Sequence, residues 1–214
     1  MVRVKICGIT NLEDALAAVE AGADLLGFNF YAKSPRRVSP QDARLVVEKL
    51  SPEVSCVGVF VNEEAAEVER AAREAGLGAV QLHGGETPEF CARLRDLTTI
   101  KALRVGENFS VESASAYGTD AVLLDAFVAG SWGGTGHTFD WSVARRTREA
   151  VARLFLAGGL TPENVAGAVR VVRPYAVDVC SGVETAPGRK SFQLMRRFVE
   201  AAREPAPDTR RAEE

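Results

Sequence analysis

Eight short β-branched and aliphatic runs punctuate the chain, at 2–7, 25–30, 55–61, 79–83, 100–105, 121–125, 153–157 and 176–180. Each is followed by a stretch with helical periodicity, and the repeat recurs at intervals of roughly 20 to 32 residues, the pattern of βαβ units on a parallel sheet. Eight such units in 214 residues leave room only for short connections. They predict a single-domain (β/α)8 TIM barrel over residues 1–203, in preference to an open doubly wound sheet. No GxGxxG turn follows the first run, which weakens the dinucleotide-binding form of the open sheet.

Local signals place the helices. Thr10 with Glu13 reads as a capping box, and Leu12, Ala15, Leu16 and Val19 form an apolar stripe ending near Gly22. Ser39-Pro40, Thr87-Pro88 and Thr161-Pro162 read as helix starts, and Asn62 as the cap of a helix over 63–75. A weaker helix is expected over 109–117 and a final one to Arg203. The Pro-rich polar segment 204–214 reads as a disordered tail.

Composition narrows the ligand class. A net charge of -3 provides no electrostatic reason for a nucleic-acid or anionic-membrane partner, so the expected ligand is a small molecule. No apolar stretch approaches the ~20 residues of a membrane span, and the charged first residues do not read as a signal peptide. Cysteines at 7, 56, 91 and 180 lack CxxC spacing, which fits reduced thiols in a cytoplasmic protein. Monomer and homodimer are both left open.

In such barrels the active site lies at the carboxyl ends of the strands. That rule gathers Cys7, Asn29 with Arg36 in the next loop, His83, Arg104, Asp125, Gly158-Gly159 and Ser181-Gly182 into one mouth. Lys5 and Cys7, two residues apart on a strand, share a face, and strands one and six are far enough apart for Cys7 and Asp125 to face each other across a small substrate. The turns at Gly158, Gly159 and at Ser181, Gly182 supply backbone N–H groups suited to an anion, and their place after strands seven and eight matches the usual phosphate site. The glycine-rich stretch 129–137, with Gly133, Gly134, Thr135 and Gly136 at its centre, reads as a lid over the ligand rather than a mere connector, with an inert insertion as the alternative. Only two histidines are present, His83 and His137, so a metal site is not expected; His83 reads as a polar lining residue.

The motifs Lys5-Ile6-Cys7-Gly8-Ile9-Thr10, Gly27-Phe28-Asn29-Phe30 with Ser34-Pro35-Arg36, Val57-Gly58-Val59-Phe60-Val61 and Gln81-Leu82-His83-Gly84 resemble those of the phosphoribosylanthranilate isomerase family of tryptophan biosynthesis. So do Leu123-Leu124-Asp125, Gly133-Gly134-Thr135-Gly136 with Phe139-Asp140-Trp141, Leu156-Ala157-Gly158-Gly159-Leu160, and Val177-Asp178-Val179 with Ser181-Gly182-Val183-Glu184. They recur in order at all but the fifth strand, from residue 1 to about 203.

The resemblance implies a cofactor-free Amadori rearrangement of an aminoaldose phosphosugar, N-(5-phosphoribosyl)anthranilate, to the 1-(2-carboxyphenylamino)-1-deoxyribulose 5-phosphate ketose. It implies Asp125 as general acid toward the ring oxygen, Cys7 as general base toward the C2 proton, and Arg36 as the clamp on the anthranilate carboxylate, with Asp178 lining the pocket against a sugar hydroxyl or Lys5. Near neutrality an ordinary aspartate is ionised and an ordinary cysteine is a thiol. Burial would help the acid and a nearby cation the thiol, with Lys5 the candidate cation unless its amine pairs with Asp178. Three other readings compete. The histidine-pathway Amadori isomerase would carry a carboxylate in place of Cys7, a metal-dependent epimerase would need more ligands, and a non-catalytic sensor would need neither the thiol nor the acid.

Overall fold

The structure is a computed structural model that describes residues 1–106, 109–126 and 140–204. The expected lid residues Gly133, Gly134, Thr135 and Gly136 and the tail from residue 205 lie outside the described residues. Eight parallel strands, β1 (Arg3–Cys7), β2 (Leu25–Asn29), β3 (Ser55–Phe60), β4 (Ala79–Leu82), β5 (Thr98–Val105), β6 (Ala121–Ala126), β7 (Leu154–Leu156) and β8 (Ala176–Val179), pair in chain order. The ring closes through β1 and β8, with Lys5 opposite Asp178 and Ile6 opposite Val179. Closure removes both sheet edges and excludes the open sheet.

The two-residue period of each strand divides its side chains between two cores. Outward residues such as Val4, Ile6, Leu26, Phe28 and Leu124 pack under the helices, while Leu25, Val57, Ile100, Leu123, Phe155 and Ala176 fill the barrel interior. Each of the buried valine, leucine, isoleucine and phenylalanine side chains among them contributes roughly 1.5–3 kcal/mol. The interior changes character along its length. Lys5, Gln81 and Asp178 are also buried, and they form a polar layer above the apolar one. The helices outside are α1 (Leu12–Glu20), α2 (Pro40–Val47), α3 (Ala65–Ala75), α4 (Pro88–Cys91), α5 (Val111–Ser115), α6 (Trp141–Ala150), α7 (Val165–Val172) and α8 (Phe192–Arg203). Among the described residues no helix is long and apolar enough to cross a membrane.

Several local expectations are corrected by tertiary contacts. The cap of α1 is Asn11, whose side chain accepts from the Asp14 N–H at 2.8 Å and donates to its carboxylate at 2.9 Å. Thr10 is drawn away from capping, because its hydroxyl donates to the Gly188 carbonyl at 2.7 Å. Asn62 does not cap α3, which begins after Glu64. It adopts φ 54°, and its amide oxygen accepts from the Gly85 N–H at 2.7 Å, tying the loop after β3 to the loop after β4. The helix expected from Thr161-Pro162 begins only at Val165. A small hairpin, β9 (Glu184–Ala186) and β10 (Arg189–Lys190), is inserted between β8 and α8.

Candidate active site

The pocket at the carboxyl ends of the strands is lined by Cys7, Arg36, His83, Asp125, Asp178 and Cys180, together with both glycine turns. Of the expected site residues in the described structure, Lys5 and Arg104 are not among those that line it. Lys5 is fully buried one layer below, where its ammonium donates to Asp178 at 2.9 Å and to Gln81 at 3.0 Å.

The thiol occupies a crowded corner. Cys180 continues the β1–β8 register, so it follows Asp178 as Cys7 follows Lys5. A hydrogen bond from the Cys180 thiol is the largest influence holding Cys7 well below the ordinary thiol range. Burial opposes this, and the charges of Lys5 and Lys190 reinforce it. The donor pays the complementary cost and is pushed well above that range, first by its bond to Cys7 and then by burial. Lys5 therefore both assists the thiol and pairs with Asp178. For Lys5, burial favours loss of the proton, but Asp178 and Cys7 together outweigh it and its pKa is raised. Asp178 is lifted to about 6, first by burial; the charge and hydrogen bond of Lys5 pull it down, and the neighbouring Cys7 and Asp125 push it up. Gly27 makes room for this group: a Cβ there would lie 2.8 Å from the Cys7 sulfur and 3.1 Å from the Lys5 nitrogen.

Across the pocket, Asp125 is 5% exposed, and its Oδ1 accepts from the Ala126 N–H at 2.9 Å. Its Oδ2 lies 3.3 Å from His83 Nε2, yet that nitrogen has no hydrogen bond of acceptable geometry among the described residues. The contact is thus an ion-pair distance without hydrogen-bond alignment.

The turns after β7 and β8 meet each other. Gly158 and Gly159 have φ values of 87° and 61°, which favour glycine. The Asn164 side chain secures their turn, accepting from the Thr161 N–H and donating to the Gly159 carbonyl, both at 2.9 Å. A Cβ on Gly182 would collide with the Leu160 carbonyl oxygen. The segment Ser181–Val183 is a short 3-10 turn rather than the start of an α-helix, so any anion held there relies on local N–H groups more than on a helix dipole.

Arg36 is not a free loop cation. Its Nε and Nη2 grip Glu184 in a two-pronged ion pair with a shortest distance of 2.7 Å, and Nη1 takes no part in that pair. Glu184, which the sequence places with the anion-binding turn, instead joins Arg36 to Lys190, 2.8 Å away. Burial alone would raise Glu184, but hydrogen bonds from Arg36 and the charge of Lys190 hold it below the usual carboxylate range. Lys190 also donates to the Cys180 carbonyl at 3.1 Å. Sequence reasoning passes over Gln81, Cys180, Lys190 and the pairing of Glu184. Only the inward parity of Gln81, two residues before His83, and of Cys180, two after Asp178, could have signalled two of them.

Fold and pocket define the class: a single-domain (β/α)8 barrel with a pocket at the carboxyl ends of its strands. The family described as N-(5'-phosphoribosyl)anthranilate (PRA) isomerase matches residues 4–201. An N-(5'-phosphoribosyl)anthranilate isomerase of Thermotoga neapolitana is 53% identical over 204 residues, covering 95% of this chain and 99% of that one. One of Trichlorobacter lovleyi is 50% identical over 204 residues, covering 95% and 99%. The crystal structure of phosphoribosyl anthranilate isomerase from Thermotoga maritima superposes with a TM-score of 0.89 at 49% identity, covering 94% of this chain and 98% of that one. The chain belongs to the N-(5'-phosphoribosyl)anthranilate isomerase family.

Proposed function

We propose that Cys7 and Asp125 are the base and the acid of this enzyme's reaction, the isomerisation of N-(5'-phosphoribosyl)anthranilate in tryptophan biosynthesis. Asp125 gives a proton to the furanose ring oxygen, the C1–O bond breaks, and an open-chain Schiff base forms. The Cys7 thiolate then removes the C2 proton, and the resulting enolamine tautomerises to the ketose. Atoms balance without a co-reactant. The observation that carries this reading is a buried thiol biased toward thiolate in the same pocket as a buried carboxylate. Each group contributes roughly 10²–10⁴-fold when positioned for proton transfer.

In the same reading Arg36 binds the anthranilate carboxylate through the edge not used by Glu184, with Glu184 setting its angle. Gly158, Gly159, Ser181 and Gly182 cradle the phosphate. A related structure has been solved in complex with reduced 1-(o-carboxyphenylamino)-1-deoxyribulose 5-phosphate, which supports a pocket of this family taking both ends of such a molecule. We further propose a cytoplasmic homodimer. The four cysteines are free, in keeping with a reducing compartment, and a relative from Thermotoga maritima is described as dimeric. Light scattering should give twice the 22.9 kDa chain mass; a single-chain mass at micromolar concentration refutes the dimer.

The experiment is steady-state fluorescence of the anthranilate substrate with Cys7→Ala and Asp125→Asn. Each variant should lose about 100-fold or more in kcat while KM changes little. Near-normal turnover in either refutes its assigned role.

A further inference from the structure

A buried hydrogen-bond chain, Lys5–Gln81–His83, leads from beneath the proposed base to the side of the proposed acid, and its directions follow from what each group can donate. A lysine ammonium has no acceptor, so the Gln81 atom 3.0 Å from Lys5 Nζ must be the amide oxygen. The Gln81 NH₂ therefore faces His83 Nδ1, also at 3.0 Å. An amide NH₂ only donates, so Nδ1 must carry a lone pair, and the neutral ring has its proton on Nε2. Turning the amide over would set its NH₂ against the ammonium, and burial denies the mismatched groups water: Lys5 is 0%, Gln81 1% and His83 8% exposed. The protonated Nε2 lies 3.3 Å from Asp125 Oδ2 without a hydrogen-bond partner of its own among the described residues.

We propose that Gln81, itself oriented by Lys5, is a positioning residue that locks His83 as the Nε2–H tautomer, so that His83 shows a donor and never an acceptor to Asp125. The inference rests on the reading of Asp125 as the acid. With the other tautomer, an Nε2 lone pair would face the acid and compete with the substrate's ring oxygen for its proton. With Nε2–H, the Asp125 proton has no acceptor on the His83 side. Once that proton is transferred, the new carboxylate finds an N–H at hand. Neither step requires Gln81 to touch the substrate.

Long-range ¹H–¹⁵N correlation spectra of histidine-labelled enzyme at pH 7.5, with His83 assigned from His83→Gln, read the tautomer directly. Wild type should show the Nε2–H pattern. In Gln81→Glu a carboxylate replaces the NH₂ and accepts from Nδ1–H, so the pattern should move to an Nδ1-protonated ring and kcat should fall about tenfold or more with KM within about threefold. In the His83→Gln background, where tautomerism is absent, the same Gln81→Glu change should cost less than about threefold, a non-additivity that a purely structural role for Gln81 does not produce. An Nδ1–H pattern in wild type overturns the proposal even where a variant fails to fold, and so does an equal loss in both backgrounds. Normal turnover by Asp125→Asn alongside an Nε2–H spectrum would instead reject the acid role and leave the tautomer assignment standing.

Discussion

Replacing Lys5 by methionine keeps an unbranched chain and removes the charge beneath the pocket. Lys5 and Asp178 form a 2.9 Å pair with side chains 0% and 9% exposed. Breaking such a buried pair from one side costs about 3–5 kcal/mol, because the remaining charge is stranded. Asp178 can escape by taking up a proton, and this gives the loss a pH dependence. With Lys5 present it titrates at about 6, burial outweighing the lysine. Without Lys5 it is driven higher. A carboxyl whose folded pKa exceeds its unfolded value binds more protons in the folded state, so stability falls as pH rises between the two values. In the parent that decline ends near pH 6, whereas in Lys5→Met it continues. The gap between the proteins should therefore widen by about 1.4 kcal/mol per pH unit above about 6. Cys7 acts in the same sense. Its lowered folded pKa, due first to Cys180 and then to Lys5 and Lys190, adds stability as pH rises toward the unfolded thiol value, and losing Lys5 removes part of that gain. Urea unfolding followed by circular dichroism at pH 5.5, 6.5 and 7.5, with unchanged m, measures the gap. A gap that stays flat from pH 6.5 to 7.5, or a loss under about 1 kcal/mol at pH 7.5, refutes the stranded-charge argument. Lys5→Met with Asp178→Leu should restore most of the stability, since apolar replacements for buried ion pairs are often neutral.

Other residues test other parts of the site. Cys180→Ala removes the hydrogen bond that most favours the Cys7 thiolate, so alkylation of Cys7 by iodoacetamide and the rise of kcat/KM should both move to higher pH; an unmoved alkylation profile refutes that role. Gly182→Ala should force the turns after β7 and β8 apart against the Leu160 carbonyl, at a cost of about 1–3 kcal/mol, and raise KM about tenfold; an unchanged KM rejects the phosphate cradle. Arg36→Ala should raise KM about 10- to 100-fold through loss of a charge-assisted bond, with the smaller effect on kcat. Unchanged KM and kcat together refute the carboxylate clamp.

The closed barrel was legible because its information is local and repeated. Each strand run stops at a glycine or polar residue, each helix has an apolar stripe, and eight units leave little alternative to closure. The same regularity brings Cys7, His83 and Asp125 to one end of the barrel. Capping was less legible: Thr10 and Asn62 have the right chemistry for caps, but distant carbonyl and amide groups at Gly188 and Gly85 compete successfully for them.

What the sequence by itself determined is the order of the elements and the end of the barrel where chemistry sits, since both depend on the period of the side chains along one strand or helix. Only the tertiary structure decided the partners. Cys180 meets Cys7 because β8 closes the ring beside β1 in a particular register, and Arg36 meets Glu184 across 148 residues of sequence. Lys5, Gln81 and His83 join into one chain because burial leaves their polar atoms no water and obliges them to satisfy each other. Registers and long-range pairings of this kind depend on which strands become neighbours, and no local pattern encodes that.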